Sequence, residues 1–222
     1  MIVLHHCLSA RSFRPLWTLE ELGLRYELCM LPFPPRMFHR EYLALNPLGT
    51  VPLLEDGDTR MTESAAICQY LAARHGAGQL DVDVGESDYG AYLNYLHFGE
   101  ATLTFPQTLV LRYTHFEPPA RQQPQVAADY SKWFLARLRG LEARLQGTEW
   151  ICAGRFTAAD ISIGYALLLA QHLGLADQFT PAVADYWQRL KQRPGYQRSQ
   201  ERQWAEARQQ GVPLIAAPDE RP

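Results

Sequence analysis

Across the first 75 or so positions the apolar residues change their spacing several times, and each change marks an element. Ile2-Val3-Leu4 is a short apolar run ending at His5 and His6, as expected of a buried strand. Phe13, Leu16, Trp17 and Leu19 recur at helical spacing, so a helix is expected over about 12–22, with Gly23 as its stop. Pro15 falls in the first turn of that helix, where no amide donor is needed. Residues 26–31 read as a second strand, parallel to the first because a helix lies between them. A loop over 32–36 and a short or irregular helix over 39–45 lead into Asn46-Pro47. Val51 to Leu54 is a third apolar run, Asp56-Gly57-Asp58 a hairpin turn, and 60–62 a short fourth strand. A helix from Ser64 to about Arg74 completes the order β-α-β-α-β-β-α, an α/β sandwich on a small mixed sheet.

Beyond Gly76 the pattern changes character. Residues 77–86 are rich in Gly and Asp and read as a linker, and no strand pattern follows them. Helical patterns cover about 87–112, 124–145, 157–173, 181–193 and 196–209, punctuated by Pro118-Pro119, Gly147, Gly154 and Gly174. The expected organisation is therefore an α/β domain over 1–76, a linker over 77–86, an all-α domain over 87–210 and a flexible tail over 211–222.

Composition narrows the function classes. A chain of 222 residues with 47% hydrophobic and 20% charged residues can bury two cores. A net charge of −3 gives no reason to expect nucleic acid or an anionic membrane as partner. Cys7, Cys29, Cys68 and Cys152 are scattered without a C-x-x-C pair, so neither a zinc site nor a disulfide framework is expected. The opening residues lack a basic stretch followed by a long apolar one, and no apolar run reaches bilayer length. A cytoplasmic setting is expected.

Candidate chemistry lies mainly in the loops of the first domain. Pro52 interrupts Val51-Pro52-Leu53-Leu54, where a central strand would lose a ladder donor. Two readings stay open for it, a trans proline on an edge strand and a cis Val51–Pro52 bond. Ser9-Ala10-Arg11-Ser12 faces the N-terminus of the first helix, whose unpaired amides favour an anion such as a thiolate. Ser12 is expected to cap that helix, which leaves Ser9 without a structural task; Arg11 and Arg14 are either solvated or hint at an acidic ligand. Ser64 is expected as an N-cap that can also receive a ligand carboxylate, and Glu63 beside it can pair with a ligand ammonium. His5 and His6 point to opposite faces of a strand, one expected in the core and the other exposed, and cannot readily share a metal. In the second domain Thr157 and Asp160 form a capping box, and Phe156 can staple against Ile161. Tyr89, Tyr92, Tyr95 and Phe98 read as packing, whereas Phe105, Tyr113 and Phe116, with Leu8, are candidates to line an apolar cleft.

Taken together, Ser9-x-x-Ser12-x-Arg14 with Leu19-Glu20-Glu21-Leu22-Gly23, Asn46-Pro47-Leu48-Gly49-x-Val51-Pro52-Leu53-Leu54, Glu63-Ser64-x-Ala66-Ile67 and Phe156-Thr157-x-Ala159-Asp160 resemble the glutathione S-transferases. The pieces come in the family's order and span both domains. The resemblance implies a thioredoxin-like domain followed by an all-helical domain, usually in a homodimer. It implies glutathione as co-substrate, an apolar electrophile as second substrate, and no metal. It makes Pro52 cis, so that Val51 offers its main-chain groups to the cysteine of glutathione, with Glu63 and Ser64 on the γ-glutamyl end and His39 toward the glycyl carboxylate. Ser9 stands where the serine-type, zeta-like and theta-like classes carry the activating hydroxyl, with Ser12 and Arg11 as alternates. No tyrosine ends the first strand, and Cys7 is two residues early for the cysteine-type enzymes. A glutathione-dependent isomerase or dehalogenase, or a non-catalytic binding protein on the same fold, are the alternatives.

Overall fold

The structure is a computed structural model and describes residues 1–219. Its contacts divide the chain into two compact units, Met1–Ala77 with Arg193–Ala217, and Gly78–Gln192 with Pro218 and Asp219. The first unit is thioredoxin-like. Its four strands are β1 (Ile2–His6), β2 (Tyr26–Met30), β3 (Leu53–Asp56) and β4 (Thr59–Met61), in the order β2-β1-β3-β4. β1 pairs in parallel with β2 and antiparallel with β3, setting His5 beside both Cys29 and Leu53. The parallel pairing follows from the connecting helix α1 (Phe13–Leu22), which ends at Gly23 in the left-handed conformation, φ +61°. A two-residue turn with Gly57 at φ +59° joins β3 to β4. One turn of helix, α2 (Pro35–Phe38), occupies the end of the expected loop, and α3 (Ser64–His75) completes the motif against α1.

The last helix, α9 (Pro194–Gln209), packs in this first unit, although the sequence boundary at 87–210 assigns it to the helical domain. Its contacts give the reason. Arg193 donates to both carboxylate oxygens of Glu21, each at 2.8 Å. Tyr196 meets Phe13 and Trp17 edge-on, with ring centroids 5.6 and 5.1 Å apart. A Cβ on Gly195 would come within 2.5 Å of the Glu21 carboxyl carbon, so the helix approaches as closely as it does only through glycine. Just past the helix, Gln210 donates to the Leu28 carbonyl and accepts from the Met30 N–H, both at 2.8 Å, and so covers the free edge of β2. The segment expected as a flexible tail is also seated: Ala216 and Ala217 are buried, and the Ala217 N–H donates to the Leu8 carbonyl at 2.7 Å. Residues 220–222 of that expected tail lie outside the described residues.

The second unit is helical: α4 (Tyr89–His97), α5 (Phe105–Leu111), α6 (Pro124–Leu145), α7 (Ala158–His172) and α8 (Pro181–Lys191). The continuous helix expected over 87–112 is instead interrupted by a π-helical stretch, Phe98–Thr104. There Gly99 lies against Ser162 so closely that a Cβ would meet the Ser162 hydroxyl at 2.5 Å. The Ser162 O–H donates to the Leu96 carbonyl and the Thr104 O–H to the Gly99 carbonyl. α7 is buried on every side from Ala158 to Ala170, as its unbroken apolar run requires. The expected capping box is present, with Asp160 accepting from the Thr157 N–H at 2.8 Å. The same carboxylate also accepts from the Ile151 N–H and the Tyr186 hydroxyl, at 3.0 and 2.8 Å. Burial pushes its pKa up, and these three donors together with the Thr157 hydroxyl, at 3.0 Å, oppose that push. Asp160 is a structural keystone of this unit.

Candidate functional site

The C-terminal end of β1 gathers most of the candidate residues of the first unit. Extending the β1–β3 register by two positions sets Val51 beside Cys7, and Val51 packs on the buried cluster of Cys7, Ala10, Leu31, Tyr42, Leu53 and Ala217. Ser9 lies between two members of that cluster, Cys7 and Ala10. It adopts φ +54°, a left-handed conformation that costs a non-glycine residue about 1–2 kcal/mol. Its N–H is held at 2.9 Å by Gln203, and its hydroxyl takes no partner among the described residues. The Val51–Pro52 bond is cis, as is Phe33–Pro34. The main-chain N–H and C=O of Val51 make no hydrogen bond among the described residues, while the neighbouring Thr50 carbonyl accepts from Tyr42 and Asn46, each at 2.8 Å. This end of the sheet thus carries, among the described residues, an unpaired pair of backbone groups at Val51 and an unpaired hydroxyl at Ser9.

Ser64 joins this end of the sheet through α1. Arg14, fully buried in the first turn of α1, donates to the Ser64 hydroxyl oxygen at 3.1 Å. Arg14 is therefore neither solvated nor a surface lure for an acidic ligand, contrary to expectation. With its oxygen accepting from Arg14, the Ser64 O–H is left to donate toward a ligand. Ser64 is the first residue of α3 and not its cap; the N-cap is Glu63, which is extended, exposed and makes no side-chain capping bond. The first-turn amides of α3 remain available to an anion beside a carboxylate that can meet a cation. His39 is exposed where α2 ends.

Other candidates have different partners. Ser12 stands at the N-cap of α1 but makes no capping bond; its hydroxyl oxygen instead accepts from the Cys7 N–H at 3.3 Å. Arg11 is half-buried. Burial drives the Cys7 thiol pKa strongly upward, which leaves this cysteine neutral and inert. His5 and His6 are both buried, where one had been expected exposed. His5 donates to Glu55 at 3.1 Å and His6 to Gln203 at 3.0 Å, on separate faces as strand geometry requires. Leu8 is buried beneath Ala217, while Phe105 in the helical unit is half-exposed. A hollow of about 400 Å³ in that unit is lined by Leu93, Asn94, His97, Phe98, Ala101 and Thr102, and so not by Phe105, Tyr113 or Phe116. Among the described residues no group of His, Cys, Asp and Glu side chains forms a metal site, and no helix is long and apolar enough to cross a membrane.

This arrangement has counterparts of known family. The family model for the glutathione S-transferase N-terminal domain matches residues 8–74, the stretch from the Ser9 loop through α3. The chain is 32% identical to glutathione S-transferase GstB of Escherichia coli, over 84% of this chain and 90% of that protein. It is 31% identical to glutathione S-transferase 4 of Zea mays, over 82% and 83%. The chain belongs to the glutathione S-transferase family. Among solved structures, a glutathione transferase from Phanerochaete chrysosporium in complex with oxidized glutathione superposes with a TM-score of 0.80 at 26% identity, covering 91% of this chain and 96% of that one. A glutathione transferase from Methylococcus capsulatus shares the fold, with a TM-score of 0.81 at 23% identity, over 91% and 98%.

Proposed function

We propose that the protein binds glutathione at the β1 end of its thioredoxin-like unit and adds the glutathione thiolate to an apolar electrophile. The observation that carries this reading is the unpaired Ser9 hydroxyl and the unpaired backbone of Val51 at the same end of β1. In the proposed complex Val51 pairs with the cysteine of glutathione through its N–H and C=O. Ser64 donates its hydroxyl to the γ-glutamyl carboxylate, and Glu63 meets the ammonium. His39, exposed near by in sequence, is assigned to the glycyl carboxylate. Ser9 donates to the sulfur and, together with the first-turn amides of α1, favours the thiolate. Arg14 supports the site by holding Ser64.

Magnitudes decide how much of the rate Ser9 can supply. A free thiol of pKa about 8.5 is only a few per cent ionised at neutral pH. Lowering that pKa by about two units raises the thiolate fraction roughly 25-fold. The less basic thiolate is also about 8-fold less nucleophilic at a Brønsted slope near 0.45, so the net gain is about 3-fold. Orientation of the electrophile against the sulfur must therefore supply most of the acceleration. The sulfur–carbon bond forms as the leaving group departs, or as an activated double bond takes up the electron pair.

A disulfide reductase is disfavoured, because neither Ser9 nor Ser12 can form a mixed disulfide and Cys7 is buried. A homodimer in a reducing, cytoplasmic setting completes the proposal. The exposed apolar side chains of Met37, Phe38 and Leu48 support self-association. The test is retention on immobilised glutathione followed by a panel of electrophiles with glutathione present. Retention together with conjugate formation is expected. Retention without turnover would favour a non-catalytic binding protein, halide release or isomerised product would favour the alternative reactions, and no retention would refute the proposal.

A further inference from the structure

Gln203 lies on α9, far in sequence from every residue assigned to the ligand, yet it is fully buried. Its Oε1 accepts from the Ser9 N–H at 2.9 Å and from His6 Nε2 at 3.0 Å. The orientation of this amide is determined by chemistry. A backbone N–H can only donate, so the oxygen must face Ser9, and His6 must then carry its hydrogen on Nε2. The other end of the amide donates to Gln200 Oε1 at 2.7 Å, and Gln200 donates to the Tyr196 hydroxyl at 3.0 Å. Tyr196 in turn is lodged against Phe13 and Trp17 of α1. Positions 196, 200 and 203 share one face of α9. A polar chain, buried at Tyr196 and Gln203 and half-buried at Gln200, therefore runs along that face from α1 to the loop that carries Ser9.

The loop needs such a hold. Ser9 is a non-glycine residue in the left-handed region, and its hydroxyl has no partner of its own to set its direction. The backbone fixes the direction of the Cα–Cβ bond that carries that hydroxyl, and Gln203 holds the Ser9 N–H itself, beside the Ala217 bond to Leu8 and the turn bond from Ala10 to Cys7.

We infer that Gln203 is a positioning residue for Ser9, holding the loop in its left-handed turn so that the hydroxyl faces the glutathione sulfur. The inference rests on the reading of Ser9 as the activating group.

The test is Gln203→Met, which keeps length and apolar volume and removes the acceptor. With glutathione and chlorodinitrobenzene, kcat should fall by at most about threefold, the whole net gain that ionisation of the thiol supplies, so the thiol titration is the deciding readout. The KM for glutathione should stay within about twofold, and the bound thiol should titrate about one pH unit higher. Glu21→Gln is the control: it weakens the hold of Arg193 on α1 but keeps the bond from Ser9 to Gln203, so the melting temperature should fall while the bound thiol titrates as in the wild type. A Gln203→Met protein with unchanged kcat and thiol titration would overturn the inference alone. Absence of thiolate absorbance in the wild-type protein with glutathione would overturn the reading of Ser9 as well. Should Gln203→Met not fold, amide hydrogen exchange on the wild-type chain decides. The Ser9 amide must then be protected as strongly as the amides of α9, and exchange at the free rate would refute the hold.

Discussion

His6 is the group through which the first unit should feel acid. It is fully buried on the central strand, donates through Nε2 to Gln203, and burial holds its pKa down at about 4 against an ordinary value of 6.5. In the unfolded chain the imidazole takes up a proton as pH falls through the ordinary value, whereas the folded protein refuses it until about pH 4. Stability is therefore lost as pH falls between those limits. The full gap corresponds to about 3.4 kcal/mol, of which about 2.5 kcal/mol is expressed between pH 7 and pH 4.5. His6→Gln retains a donor for Gln203 and cannot titrate. Whatever it costs at neutral pH, its stability should fall by about 2.5 kcal/mol less than that of the wild-type protein over the same range. Denaturant unfolding at a series of pH values measures the difference. Carboxylates do not confuse this window. Glu55 is held below the usual range first by the hydrogen bond from His5, and Asp56 first by that from His75. Their contribution is present above the ordinary carboxylate range and is lost as pH falls through that range toward their depressed folded values, equally in both proteins, so it cancels in the difference between them. Parallel curves for the two proteins between pH 7 and 4.5 would refute the account of His6.

Three further outcomes follow from packing and hydrogen bonding. Asp160→Ala strands the donors of Thr157, Ile151 and Tyr186, and should destabilise the protein by at least about 3 kcal/mol, measured by thermal unfolding, with turnover per folded molecule unchanged. Gly99→Ala drives a methyl group into Ser162 and should cost about 1–3 kcal/mol, measured by urea denaturation. Arg14→Met preserves the volume at a fully buried position but strips Ser64 of its donor; unfolding should become easier by about 2 kcal/mol or more, and glutathione affinity by calorimetry should drop.

What the sequence makes legible here is whatever is local. The spacing of Phe13, Leu16, Trp17 and Leu19 and the stop at Gly23 define α1, and the helix between two apolar runs dictates the parallel pairing of β1 and β2. The capping box at Thr157 and Asp160 is a four-residue device and is present in the structure. Illegible features depend on partners distant in the chain. Arg14 reads as solvated until Ser64, 50 positions away, is seen to accept its hydrogen bond. The place of α9 is set by pairs such as Arg193 with Glu21, separated by 172 positions. Periodicity alone assigns that helix to the all-α stretch beside it. Sequence makes Ser12 and Ser64 helix caps, yet the Ser12 oxygen accepts from the Cys7 N–H across the loop and the Ser64 oxygen from the distant Arg14. Gln203, which holds the Ser9 backbone, carries no motif at all.

The most direct test of the central proposal is ultraviolet titration of the glutathione thiol bound to the wild-type protein and to Ser9→Ala. In the wild type the bound thiol should titrate about two pH units below its free value, and in Ser9→Ala it should return toward that value, with glutathione affinity little changed. A bound thiol that titrates at its free value in the wild-type protein, or one that stays depressed without the Ser9 hydroxyl, would contradict it.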